Sequence, residues 1–297
     1  FRRVNCAESP PGGAMSQDGS AEVERPTGHG KVEMPEGVGE GLARRVAGLR
    51  RPESYPGRVG QVETIETHMS WVFLTEEHAY KLKKPIRTAL LDHTTVEARR
   101  RACKRELRLN RRLAGEVYRA VVPLVAVEGG VRLEAEGEPV DWLVKMRRLP
   151  GDRMLDVCIE RDAVWRPEVD RVAARLADFY RSAEEVQEEG ADYRHRIDED
   201  IAAKGRSLAR GRYGLGASDL GAVVAELEEW IEEHRGLLEG RGSTVVDAHG
   251  DLRPEHICLE QEPMVIDCLE FERALRLLDP VSELSFLGRS EERRVGK

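Results

Sequence analysis

The stretch from Thr244 to Asp267 confines this chain more tightly than any other. Thr244-Val245-Val246 is a short β-branched run leading into His249-Gly250-Asp251-Leu252-Arg253-Pro254-Glu255-His256. Ile257-Cys258-Leu259 leaves that loop, Glu260-Gln261-Glu262-Pro263 reads as a turn, and Met264-Val265-Ile266 delivers Asp267. A hairpin of this kind brings Asp267 back beside the loop that holds Asp251. Two carboxylates on neighbouring strand ends suit phosphoryl transfer. One accepts a proton from a hydroxyl nucleophile, and the other holds a divalent cation against nucleotide phosphates. A lone loop Asp is ordinarily a solvated acid. Here His-Gly-Asp, a polar side chain five residues on (His256) and a strand-borne Asp occur together, which favours a site.

The rest of the composition narrows the partners. A length of 297 residues allows one two-lobed domain or two small ones. A net charge of −8 argues against nucleic acid or an anionic membrane as the main partner. No apolar run approaches the roughly 20 residues that span a bilayer, and no apolar signal core stands at the N-terminus. Five dispersed cysteines without a C-x-x-C pair read as reduced thiols, so a cytoplasmic location is expected. Residues 1–40 are rich in Gly, Pro, Ser and Glu and read as disordered. Met15 and Met34 are internal, so the true start is expected inside that segment.

Periodicity organises the chain beyond residue 40. A short helix is expected over Leu42–Leu49, ending before Pro52. Glu66–Leu74 and His78–Lys83 read as paired strands around a turn at Thr75-Glu76-Glu77, and alternation puts Ala79, Lys81 and Lys83 on one face. Thr95 to Ala114 is predicted as a helix capped by Thr95, with Cys103, Glu106, Asn110 and Leu113 on one stripe. Strands are predicted next at Val121–Val127, Val131–Ala135 and Asp141–Met146. Helices are expected over Pro167–Glu185, Ile197–Ala209 and Ser218–Leu238, and another opens with Pro280 at its first position.

At the Asp251 loop and hairpin the sequence resembles the aminoglycoside phosphotransferase family, whose fold is that of the protein kinases. The resemblance runs from about Val62 to Leu287 and includes Ala79-Tyr80-Lys81, similar to the A-x-K of a kinase third strand. It extends to Leu278-Asp279-Pro280-Val281-Ser282-Glu283-Leu284, similar to D-P-x-x-D-L-A with Glu283 in place of the second Asp. It implies an α+β, two-lobed fold, with a small β-rich N-lobe over 41–149, a mainly helical C-lobe over 150–288 and a charged, non-native tail over 289–297. The C-lobe is expected to be truncated.

The resemblance also implies roles. Asp251 is the catalytic base, grouped with His249 and Arg253 of the same loop, and Asp267 carries Mg2+. Lys81, preferred over Lys83, holds the α- and β-phosphates of ATP and is itself held by Glu106. Met146 to Leu149 form the adenine-binding hinge, with Met146 and Arg148 as cofactor-binding residues.

His256 stands where the kinase pattern has a metal-binding Asn. Imidazole is a softer ligand than an amide oxygen, so Mn2+ joins Mg2+ as a candidate, and Glu255 or Glu270 are carboxylates that could compensate. No glycine-rich phosphate loop is present, which leaves Thr67, His68 and Ser70 as candidates for covering the phosphates. Some members of this branch carry a second, P-loop domain, but no G-x-x-x-x-G-K-[S/T] run occurs here.

The expected activity is therefore ATP-dependent transfer of a phosphoryl group to a hydroxyl of a small molecule. The rival is a nucleotide-binding pseudokinase or regulatory module. A metal-dependent hydrolase using His249, Asp251, His256 and Asp267 is less favoured, because it gives Lys81 and Glu106 nothing to do.

Overall fold

The computed structural model describes residues 38–295 apart from 89, 187–188, 210–213 and 215. The segment expected to be disordered lies outside the described residues as far as residue 37.

One antiparallel sheet of six strands has the order β1-β2-β3-β6-β4-β5. Its strands are β1 Glu63–Glu66, β2 Ser70–Leu74, β3 His78–Lys83, β4 Tyr118–Val127, β5 Gly130–Leu133 and β6 Pro139–Arg147. Helix α1, Val38–Leu49, covers one face and α2, Val96–Ala114, the other. Alternating side chains serve the two layers separately. Leu42, Val46 and Leu49 pack with Phe73, Tyr80, Leu82 and Leu143, whereas Cys103 packs with Val72, Ala79, Val144 and Met146. Covered on both sides, β3 is buried from Ala79 to Lys83, which places two lysines inside the protein beneath α2. Thr95 caps α2 as predicted, its Oγ1 accepting from the Ala98 N–H at 3.1 Å.

The single strand expected over Glu66–Leu74 is instead a hairpin. Thr67 Oγ1 accepts from the Ser70 N–H at 3.0 Å and donates to the Ser70 carbonyl at 3.0 Å. A hydroxyl that closes a local ring with the backbone makes a turn without glycine or proline, which explains why no breaker marks it.

The second half is mainly helical: α3 Leu155–Glu160, α4 Arg166–Ser182, α5 Gly190–Leu208, α6 Ala217–Glu233, α7 Arg235–Gly240 and α8 Pro280–Val295. The helix predicted over Ser218–Leu238 breaks at His234, whose ring stacks on Trp230 with centroids 4.2 Å apart. Two short antiparallel pairs complete this half. Strand β7 Val246–Asp247 pairs with β10 Leu277–Leu278, and β8 Ile257–Cys258 with β9 Met264–Val265. Their core joins Leu155, Val172, Leu176 and Phe179 to Leu252, Ile257 and Val265. An antiparallel N-terminal sheet with a helix on its inner face, leading into a helical lobe that carries a loop and hairpin, is the two-lobed kinase-like arrangement.

Candidate active site

The Asp251 loop is held through its backbone. Gly250 has φ +84°, and a Cβ there would lie 2.9 Å from Arg276 Cγ and 3.3 Å from the Leu275 carbonyl, so only glycine fits. His249 is completely buried. Its Nε2–H donates to the Ile266 carbonyl at 3.0 Å, and its Nδ1 accepts from the Asp251 N–H at 3.3 Å. That pattern assigns the neutral tautomer, and burial lowers the ring's pKa to about 3. Glu283, in the first turn of α8, accepts from the Gly250 N–H at 2.5 Å, the His249 N–H at 3.3 Å and the Tyr180 hydroxyl at 2.7 Å. Burial raises its pKa, and these three donors restrain the rise.

Asp267 is held through its side chain. At φ +65° it lies in the left-handed region, which Asp tolerates better than most residues and which turns it off the end of β9. Its N–H donates to the Tyr118 hydroxyl at 3.2 Å, and the next N–H, of Cys268, donates to Asn110 Oδ1 at 2.9 Å. Lys81 Nζ pairs with Asp267 Oδ1 and with Glu106 Oε1, the latter at 3.0 Å. Lys83 Nζ meets the other oxygen of Glu106 at 2.6 Å and also pairs with Glu270.

His256 joins the two acids. Its Nδ1–H donates to the Asp251 carbonyl at 2.8 Å and lies 3.7 Å from Asp251 Oδ2, while Nε2 lies 3.8 Å from Asp267 Oδ2. Arg253 caps this side, with Nη2 3.2 Å from His256 Nε2 and Nε 3.1 Å from Asp251 Oδ1. The carboxylates are pushed apart electrostatically. Burial raises the pKa of Asp251, with the Asp267 charge adding and His256 and Arg253 opposing. Burial works on Asp267 in the same sense and is the largest single influence, but Lys81, His256 and Lys83 together outweigh it and hold that carboxyl well below its usual range. Separation of this kind lets one acid take up a proton while its neighbour stays charged.

Among the described residues no three His, Cys, Asp or Glu side chains gather as a ready-made metal cage. A cation that arrives on phosphate needs only one or two protein ligands, the rest being phosphate oxygens and water. Asp267, partly exposed, supplies a hard oxygen that fits such a cation, whereas His256 offers a nitrogen only if Arg253 Nη2 leaves its Nε2, now 3.2 Å away. Glu270 is occupied by Lys83 and is not spare.

At the expected hinge, Met146 is buried against Ala79 and Tyr118. Arg148 turns its side chain to the Thr75 carbonyl at 2.8 Å and to Glu63 at 3.2 Å. The N–H groups of Arg147 and Arg148 are taken by the Val117 and Glu77 carbonyls, each at 2.8 Å.

Sequence reasoning had no role for Tyr118, Asn110 or Arg112, none for Lys83 beyond the alternative to Lys81, and none for Glu283 beyond its place in a motif. Arg112 runs from α2 to the Asp247 and Ala248 carbonyls at 2.6 and 2.8 Å, just ahead of the Asp251 loop. Asn110 gave a signal one helical turn past Glu106 on the same stripe, and Lys83 one by sharing a strand face with Lys81. Helix α2 thus touches the lysines, the Asp267 turn and the strand leading to Asp251.

No family model matches the chain. Uncharacterized proteins of Mycobacterium tuberculosis and Mycobacterium bovis are 32% identical to it over 233 residues, covering 76% of this chain and 45% of theirs. The chain therefore spans about half the length of these relatives. The GDP and kanamycin complex of APH(2")-IIia aligns at a TM-score of 0.41 and 13% identity, over 86% of this chain and 81% of that one. A glucosamine kinase aligns at 0.41 and 17%, over 86% and 62%. Judged by its own lobe order and the placement of Lys81, Glu106, Asp251 and Asp267, the chain has a two-lobed, protein-kinase-like fold.

Proposed function

We propose that the chain is a small-molecule kinase of the aminoglycoside phosphotransferase-like family, moving the γ-phosphoryl group of ATP to a hydroxyl. One observation carries the reading: Lys81 lies between Glu106 and Asp267, and His256 links Asp267 to Asp251. A cation suited to phosphate, an anion suited to a metal and a carboxyl suited to a proton thus stand in one connected cluster.

In the proposed reaction Asp251, raised in pKa, orients the acceptor hydroxyl and takes its proton as the oxygen attacks the γ-phosphorus. The bond to the β–γ bridging oxygen breaks to release ADP. Lys81 leaves Asp267 to donate to phosphate oxygens and remains anchored by Glu106. Asp267 would hold the divalent cation, joined by His256 once Arg253 moves off its Nε2, and the cation when bound neutralises phosphate charge. His249 and Glu283 keep the loop rigid and exchange no proton with substrate. Positioning and charge neutralisation are most of what an in-line transfer requires.

The test is an ADP-release assay with sugars, amino alcohols and aminoglycosides as acceptors, with Mg2+ and Mn2+ in turn. Transfer should appear with at least one acceptor and fall about 10²–10⁴-fold in Asp251→Ala. A specific contact favours the rival: the Arg253 guanidinium occupies the Nε2 lone pair that His256 would offer a metal. Metal-independent nucleotide binding, with no turnover for any acceptor or metal, would establish a nucleotide-binding module instead.

A further inference from the structure

A phosphate-binding site of this kind needs one lysine, and β3 buries two. Lys81 and Lys83 meet the two oxygens of Glu106 at 3.0 and 2.6 Å. Each has a second acid from beyond the hairpin, Asp267 for Lys81 and Glu270 for Lys83. Charges therefore alternate along Asp267, Lys81, Glu106, Lys83 and Glu270. The lysines are not equivalent, because the Lys83 side chain is 2% exposed and that of Lys81 is 10%. Lys81 thus keeps some surface open to solvent, and Lys83 is almost wholly enclosed by its two acids and the protein. Lys84, next in the chain, points the other way, pairing with Glu66 at 2.6 Å and lying 5.6 Å from the Trp71 ring centroid.

Glu106 has no exposed surface, and a carboxylate so buried is tolerated only while it is paired. When Lys81 turns to phosphate it gives up Asp267 and shares its charge with the ligand, which weakens its hold on Glu106. We propose that Lys83 is a positioning residue: it neutralises Glu106 throughout and, through Glu270, ties β3 to the segment after Asp267, so that Lys81 can exchange Asp267 for phosphate without Glu106 moving. The kinetic consequence rests on the phosphotransferase reading, whereas the structural consequence does not.

The full chain would be made as Lys81→Met, Lys83→Met, Glu270→Gln and Lys83→Met/Glu106→Gln, and the thermal unfolding of each measured. Breaking a buried pair from the Lys83 side should lower Tm by about 6–15 °C, at least twice the loss in Lys81→Met. Adding Glu106→Gln should recover at least half of it. If Lys83→Met does not fold, refolding in the double variant supports the proposal, and an unfolded double variant overturns it. Equal Tm losses in the two single lysine variants also overturn it.

A purely structural lysine would leave turnover intact at temperatures where the protein is folded. Glu270→Gln, the milder change, should there lose about tenfold in kcat with the KM for ATP within about threefold, because the lost alignment matters mainly in the transition state. Wild-type kcat in Glu270→Gln overturns the positioning role. A wild-type chain that transfers no phosphate defeats the phosphotransferase reading instead, and the Tm comparison then decides on Lys83 alone.

Discussion

Asp251 and Asp267 share a residue type and a neighbour, His256, but they are held by opposite means. Around Asp251 the backbone is rigid: Gly250 sits in a conformation only glycine fills, and His249 and Glu283 take up the loop's N–H groups. The Asp251 side chain itself is 38% exposed and, among the described residues, forms ion pairs with Arg253 and His256. Around Asp267 the side chain is rigid, paired with a lysine that is itself locked to Glu106. Accordingly one carboxyl is raised in pKa and the other lowered. A group that must take and return a proton is best held by its backbone with its oxygens left open. A group that must stay charged is best held by a cation.

Substitutions should break this contrast in a definite order. Asp251→Ala should cost the most, about 3–5 kcal/mol of barrier in steady-state turnover, with nucleotide affinity little changed. If affinity collapses alongside turnover, the division of labour between the acids is wrong. Glu283→Ala strands the N–H groups of His249 and Gly250 and the Tyr180 hydroxyl. It should cost about 3 kcal/mol in urea unfolding, and a loss under 1 kcal/mol would show that the loop does not depend on it. Gly250→Ala forces a Cβ against Arg276 and Leu275 at positive φ, for about 1–3 kcal/mol by the same measurement.

A separate effect is graded with pH and is small only near neutrality. His249 and His93 are neutral in the fold, each lowered by burial to about 3. In the unfolded chain they titrate near 6.5, so the unfolded state takes up protons first as the pH falls. Their contribution is complete above pH ~6.5 and is lost toward pH ~3, at about 1.4 kcal/mol per pH unit for each residue. Unfolding free energies that are flat between pH 7 and 5 would contradict the buried, neutral His249.

The legibility of the sequence obeys the same division. Asp251, Asp267 and Glu106 could be found because hairpin chemistry and helical periodicity put them on defined ends and faces. The two-lobed fold came through family resemblance, since neither composition nor periodicity dictates how a sheet and a helical lobe are joined. The ties between distant segments were hidden. Alternation places Lys83 beside Lys81 but does not reveal that Glu270 waits for it. Nothing local to Glu283 shows that it closes a loop more than thirty residues earlier. The Thr67 turn escaped because its signal is a single hydroxyl, and the break at His234 because it interrupts an otherwise helical pattern.

The central claim is that Asp267 serves a metal–nucleotide while Asp251 serves the acceptor. Calorimetric titration of ATP with and without Mg2+ into wild type, Asp267→Asn and Asp251→Asn tests it most directly. The account predicts that Mg2+ strengthens ATP binding at least tenfold in wild type and in Asp251→Asn, and that this gain disappears in Asp267→Asn. A metal-dependent gain that survives in Asp267→Asn, or that is absent from wild type, would contradict it.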